Sequence, residues 1–145
     1  MFVGQYQSKL DVKHRVKIPK RMWRQIEKSC DNTNLFLAPG YERCLSLYTE
    51  EEFLERRKKL QDQDNEQAEV RKLLRLFFSN AEPVELDSLG RFVLLPRHRK
   101  WIKNAVELIF VGVNDRIEIW GVESWQKFID ANEEDYDALA EKILG

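Results

Sequence analysis

Leu10-Asp11-Val12-Lys13-His14-Arg15-Val16-Lys17-Ile18-Pro19 is echoed by Leu86-Asp87-Ser88-Leu89-Gly90-Arg91-Phe92-Val93-Leu94-Leu95-Pro96, and this repetition decides the architecture. A self-similar segment this long means that one supersecondary unit occurs twice. The second copy carries one extra residue before its proline. After each proline comes a basic, helix-compatible stretch with a tryptophan, Trp23 or Trp101. Two short apolar runs follow each time: Leu35-Phe36-Leu37 with Leu45-Ser46-Leu47-Tyr48, and Leu108 to Val113 with Ile117-Glu118-Ile119-Trp120. Gly40 and Asn114-Asp115 supply the turns between them. Each unit therefore reads strand, Asp-turn-Arg, strand, short helix, strand, turn, strand. One such unit buries little, whereas two in tandem complete each other's sheets and cover edges that would otherwise invite aggregation.

Helices fill the rest of the chain. Thr49 followed by Glu52 matches a capping box, with Glu50 and Glu51 favourable at a helix N-terminus and Arg56 to Lys59 farther along. Val70, Leu73, Leu74, Phe77 and Phe78 form one apolar face at helical spacing. Trp125, Phe128, Ile129, Tyr136, Leu139, Ala140 and Ile143 predict an amphipathic tail, which Asn132 to Asp135 can interrupt. These stripes read as core or subunit packing. The expected organisation is α+β, with a first unit over residues 1–48, a helical linker over 49–80, a second unit over 81–124 and a helical tail over 125–145.

Composition narrows the class. The chain has 145 residues, 43% hydrophobic, with only 6 Gly and 4 Pro, so it should fold throughout. Cys30 and Cys44 stand apart with no C-x-x-C pair and no leader before them, which predicts a reducing cytosol and neither disulfide nor metal site. The apolar run ending at Val113 is too short to cross a bilayer, so no membrane partner is expected. The net charge of −1 conceals segregation. From Lys9 to Arg24 seven basic residues face Asp11 alone, and from Arg91 to Lys103 five face none; the acids collect in the tail, from Asp130 to Glu141. Such asymmetry gives a neutral protein a basic face.

The opening Met1-Phe2-x-Gly4, the two Asp-x-x-x-Arg motifs with prolines downstream, and Leu35 to Tyr48 answered by Leu108 to Trp120 resemble the MraZ family across nearly the whole chain. The resemblance implies two pseudo-symmetric AbrB-like swapped-hairpin units forming a small β-barrel-like core. It implies a ring-shaped homo-oligomer, octameric or dodecameric, associated with the nucleoid. It further implies a transcriptional regulator of the division and cell-wall gene cluster that binds short direct repeats in promoter DNA upstream of its own gene. No cofactor, small-molecule ligand or catalytic residue is implied.

The residues point to nucleic acid on their own account. In an extended segment Lys13, Arg15 and Lys17 alternate with His14, Val16 and Ile18, which puts three cations on one face. Arginine's planar fork suits guanine O6 and N7, so Arg15 is the expected base reader, with Arg91 its counterpart. Asp11 and Asp87 would repel phosphate; bonding turn amides and orienting Arg15 and Arg91 is their expected task, and in each turn the pair could serve closure alone. The copies should read unequally. Ser88 and Leu89 replace Val12 and Lys13, and Phe92 to Leu95 looks buried on both faces. His14 stands where the second copy has Gly90, which leaves the conformation of the first turn open. It could touch phosphate when protonated, but an exposed turn residue is the plainer expectation. For an enzyme there is no H-E-x-x-H, P-loop or G-x-S-x-G, and an Asp11–Asp87 dyad would lack a catalytic motif. The competing class is an oligomeric interaction or scaffold protein, its basic segments merely solvated and its acidic tail binding a partner or covering the basic face.

Overall fold

A computed structural model describes residues 1–145. The first half runs β1 (Gln5–Lys9), β2 (Arg15–Lys17), α1 (Lys20–Ser29), β3 (Leu35–Pro39) and β4 (Leu45–Thr49). Two helices follow, α2 (Glu50–Gln61) and α3 (Ala68–Asn80). The second half repeats the order as β5 (Glu82–Pro83), β6 (Arg91–Val93), α4 (Pro96–Trp101), β7 (Glu107–Gly112) and β8 (Ile117–Gly121). The chain ends in α5 (Val122–Asn132), a 3₁₀ turn (Glu133–Asp135) and α6 (Tyr136–Leu144).

The strands exchange partners between the halves. An antiparallel six-stranded sheet has the order β1-β7-β8-β4-β3-β5, and β2 pairs with β6 in a separate two-stranded ribbon. The opening strand of each half thus lies on the third strand of the other, β1 on β7 and β5 on β3. The class is α+β, as expected. The barrel-like core is not found: the sheet is open, ending at β1 on one side and at the two-residue β5 on the other. An edge that short leaves little unpaired backbone for another strand to join.

Period-two alternation sorts the sheet into two faces. Leu35, Leu37, Leu45, Leu47, Leu108, Phe110, Ile117 and Ile119 point to one side and form the main core with Val16, Met22, Ile26, Phe92 and Leu94. The ribbon and the short helices therefore cover this face. On the other side, Ala38 and Tyr48 lie under Phe53, Leu60 and Phe77 of α2 and α3, with the Phe36 and Phe53 rings stacked at 4.4 Å. Ile109, Val111 and Trp120 lie under Val122 and Trp125 of α5. Burial on both faces explains why β4 and β8 are inaccessible along their whole length.

Local signals set the helix boundaries. Pro19 fixes φ at −55° immediately before α1, whose Met22 and Ile26 fall one turn apart and are fully buried. Pro96 opens α4, where its missing N–H costs nothing. The Thr49 hydroxyl accepts from the Glu52 amide at 3.3 Å, one half of a capping box. The expected break in the tail is the 3₁₀ turn at Glu133–Asp135, and the tail helix begins earlier than expected, at Val122.

Candidate nucleic-acid interface

The two repeated motifs meet in the ribbon. Val16 pairs with Phe92 at its centre, flanked by Arg15 with Val93 and Lys17 with Arg91. Beyond the strands, the Ile18 amide donates to the Gly90 carbonyl at 3.1 Å and the Leu94 amide to the His14 carbonyl at 2.9 Å. Each turn is thus tied to the far end of the other copy's strand. Val16 and Phe92 point into the core, which leaves Arg15, Lys17, Arg91 and Val93 on the outer side.

Each turn is built around its aspartate. Asp11 Oδ1 accepts from the Lys13 and Arg15 amides, both at 2.9 Å, and Oδ2 accepts from Arg15 Nε at 2.8 Å. Asp87 accepts from the Leu89 and Arg91 amides at 2.9 Å and from Arg91 Nε at 2.7 Å. The amide of Arg15, against some desolvation and with help from its guanidinium, holds the Asp11 carboxyl below the usual carboxylate range. The Arg91 amide does the same for Asp87. Both aspartates are anions closed around their own turns, each facing its own arginine, not the other aspartate.

The anchoring leaves chemistry free. Only Nε of Arg15 and of Arg91 is engaged, so the terminal guanidinium nitrogens of each keep their donors open. That edge is the one that matches two acceptors in a plane. His14 takes φ 61°, beside 75° at Gly90, so the histidine adopts the glycine conformation and the two turns are superposable in their hydrogen bonding. His14 itself is exposed.

Two expectations need correction. Lys13 is not part of an extended segment: Asp11 folds residues 12–14 into a turn, and the strand begins only at Arg15. The alternation therefore aligns Arg15 and Lys17, while Lys13 stands on the turn tip with the 94%-exposed Val12. The stretch Phe92 to Leu95 is not buried on both faces. Val93 is 51% exposed because a two-stranded ribbon has only one side against the core.

Two further cations join the set. Lys20 and Arg24, on the first two turns of α1, line a concavity with Lys17, Trp23, Glu27, Leu89 and Gly90, three cations to one carboxylate. Neither they nor Lys13 and Lys17 have an ion-pair partner within the chain. They lie in the basic run from Lys9 to Arg24, but sequence spacing alone could not bring them to the turn of the other copy. On the opposite flank of the ribbon, a second concavity holds Glu82, Glu85 and Val93. There Arg97 is neutralised by Glu82 at 2.6 Å.

The duplication has a counterpart among known proteins. The model of the family described as "MraZ protein, putative antitoxin-like" matches residues 1–76 and, a second time, residues 77–145. The chain belongs to the MraZ family. Membership gives this MraZ chain a regulator-type role, in a family of regulator-like proteins and not of enzymes. No helix of this MraZ protein is long and apolar enough to cross a membrane.

Proposed function

We propose that this protein is a sequence-specific DNA-binding transcriptional regulator, with the β2–β6 ribbon and its first turn as the reading edge. The observation that carries this is Arg15: Asp11 fixes its Nε at 2.8 Å and leaves its terminal nitrogens open on the outer side of the ribbon. A two-stranded ribbon fits the major groove, and a pre-oriented guanidinium there matches guanine O6 and N7. Lys13, Lys17, Lys20 and Arg24 contact phosphate around it, which positions the ribbon without reading bases. Arg91, with Leu89 and Val93 in place of the lysines, is the weaker contact.

By family, the targets are short direct repeats upstream of the protein's own gene in the division and cell-wall cluster, bound by a ring of copies in the nucleoid. The physics supports several linked copies. One ribbon neutralises few phosphates and binds weakly, whereas copies on one scaffold raise the effective concentration at neighbouring boxes.

Fluorescence anisotropy on the upstream DNA and on a scrambled duplex, at two salt concentrations, tests this. Preference for the upstream sequence is expected, weakening with salt. Arg15→Ala should lower that preference by about 5- to 150-fold, the worth of one bidentate base contact. Lys17→Ala should weaken binding to both duplexes alike and flatten the salt dependence. Equal, weak binding to both duplexes, indifferent to Arg15, would favour the interaction-protein reading instead.

A further inference from the structure

The two copies of the motif differ in one consistent way along the ribbon. Where the first copy has Lys13 and Lys17, the second has Leu89 and Val93, and both apolar side chains are more than half exposed, at 57% and 51%. Val93 joins none of the hydrophobic clusters of the fold. Its place is fixed by register: it lies directly opposite Arg15, whereas Arg91 lies opposite Lys17. Side chains paired across two strands stand about 5 Å apart at Cβ. The open guanidinium edge of Arg15 therefore has a half-exposed valine at its side.

The surroundings limit what that valine can meet. Val93 shares its concavity with Glu82 and Glu85, and Glu85 is exposed without an ion-pair partner. Carboxylates repel phosphate, so this flank does not follow the sugar–phosphate backbone as the flank of Lys17, Lys20 and Arg24 does. Base edges remain within its reach. In the major groove those edges display donors, acceptors and a single apolar group, the C5-methyl of thymine. Successive bases are about 3.4 Å apart along a strand, so side chains about 5 Å apart reach neighbouring base pairs.

We propose that Val93 packs on the C5-methyl of a thymine next to the guanine that Arg15 reads. The inference rests on the DNA-reading role given above to the ribbon and adds a second base to it. Arg15 selects guanine through two acceptors, and Val93 selects thymine over cytosine at the neighbouring pair by apolar contact. The second copy thereby contributes to the reading done by the first, which neither copy could supply alone.

Fluorescence anisotropy on upstream duplexes carrying one altered base at a time tests this. 7-Deazaguanine, which lacks the N7 acceptor, locates the guanine: it is the position where the loss seen with the wild type disappears with Arg15→Ala. Deoxyuridine in place of a neighbouring thymine removes only the methyl group. The wild type is expected to bind that duplex about 3- to 5-fold more weakly, the worth of burying one methyl group, and Val93→Ala to bind both duplexes equally. Val93→Lys, which copies Lys17, should also ignore the methyl while binding every duplex more tightly and with a steeper salt dependence. Val93 is half-exposed, so both variants should keep the wild-type melting curve. A wild type indifferent to deoxyuridine beside that guanine, yet still dependent on Arg15 there, would overturn the thymine contact and leave the DNA reading standing. A deoxyuridine loss that persists in Val93→Ala would assign the methyl to another side chain and overturn the role of Val93. A wild type without preference for the upstream DNA would remove the reading and this contact together.

Discussion

At position 14 a histidine holds a left-handed backbone at φ 61°, while its counterpart Gly90 holds the same conformation at 75°. The aspartate of each turn imposes that conformation by taking the amides two and four residues ahead, and histidine tolerates it better than most residues. A Cβ at Gly90 would meet nothing within 4 Å, so only the backbone resists a side chain there. Gly90→Ala should therefore cost about 1–2 kcal/mol, the left-handed penalty, read as a lowered urea midpoint with unchanged slope. A second residue-scale consequence concerns His98, 1% exposed, whose Nε2 donates to the Asn80 carbonyl at 2.8 Å while Nδ1 is buried without a partner. Burial holds its pKa below the ordinary histidine value, because a second proton would be an unpaired charge in the core. The unfolded chain then binds that proton more readily than the folded one. Stability is full above the ordinary value of about 6.5 and falls as the pH drops below it. Urea midpoints between neutral and mildly acid pH should show this slope, and His98→Gln, which keeps a donor for Asn80, should flatten it. Asp11 and Asp87, whose values are also lowered, add a separate loss in stronger acid, below the ordinary carboxylate value.

At the scale of elements, the ribbon stands on Phe92, 3% exposed and packed into the main core opposite Val16. Phe92→Ala should cost about 3–5 kcal/mol, the range for emptying a buried aromatic site. It should also weaken DNA binding at temperatures where the chain is still folded, since both turns are braced across that pair. Most elements were legible in the sequence. The apolar runs of β3, β4, β7 and β8, the prolines before α1 and α4 and the Thr49 cap are local signals, and each lies where it reads. Other features were not legible because they are not local. The exposure of Val93 depends on the ribbon having one covered side, and an apolar residue does not announce which side it takes. Whether the sheet closes into a barrel depends on strand register and on the length of β5. The exact strand start at Arg15 depends on Asp11 holding Lys13 in the turn. Lys20 and Arg24 join the site only because the swap brings the turn at Gly90 to the side of α1.

At the scale of the molecule, the exchange of β1 and β5 between halves makes each half incomplete without the other. The covalent link through α2 and α3, which also cover one face of the sheet, keeps the halves at high local concentration. Fragments 1–64 and 65–145 should each lack a cooperative melt and regain one when mixed, as circular dichroism would read; a cooperative melt for either alone would show that it folds without the swap.

The unequal flanks of the ribbon carry one more consequence. Two identical copies paired through such a ribbon would present the same side chains from either direction and would suit a palindrome. Here Lys17, Lys20 and Arg24 stand on one flank beside the turn at Gly90, with Glu27 and Leu89, whereas Val93, Glu82 and Glu85 line the other. Because the two copies lie in one polypeptide with different residues, the ribbon has a front and a back. A site read by such an edge has polarity, so successive protomers that keep the same heading would lay down boxes in the same orientation along the duplex.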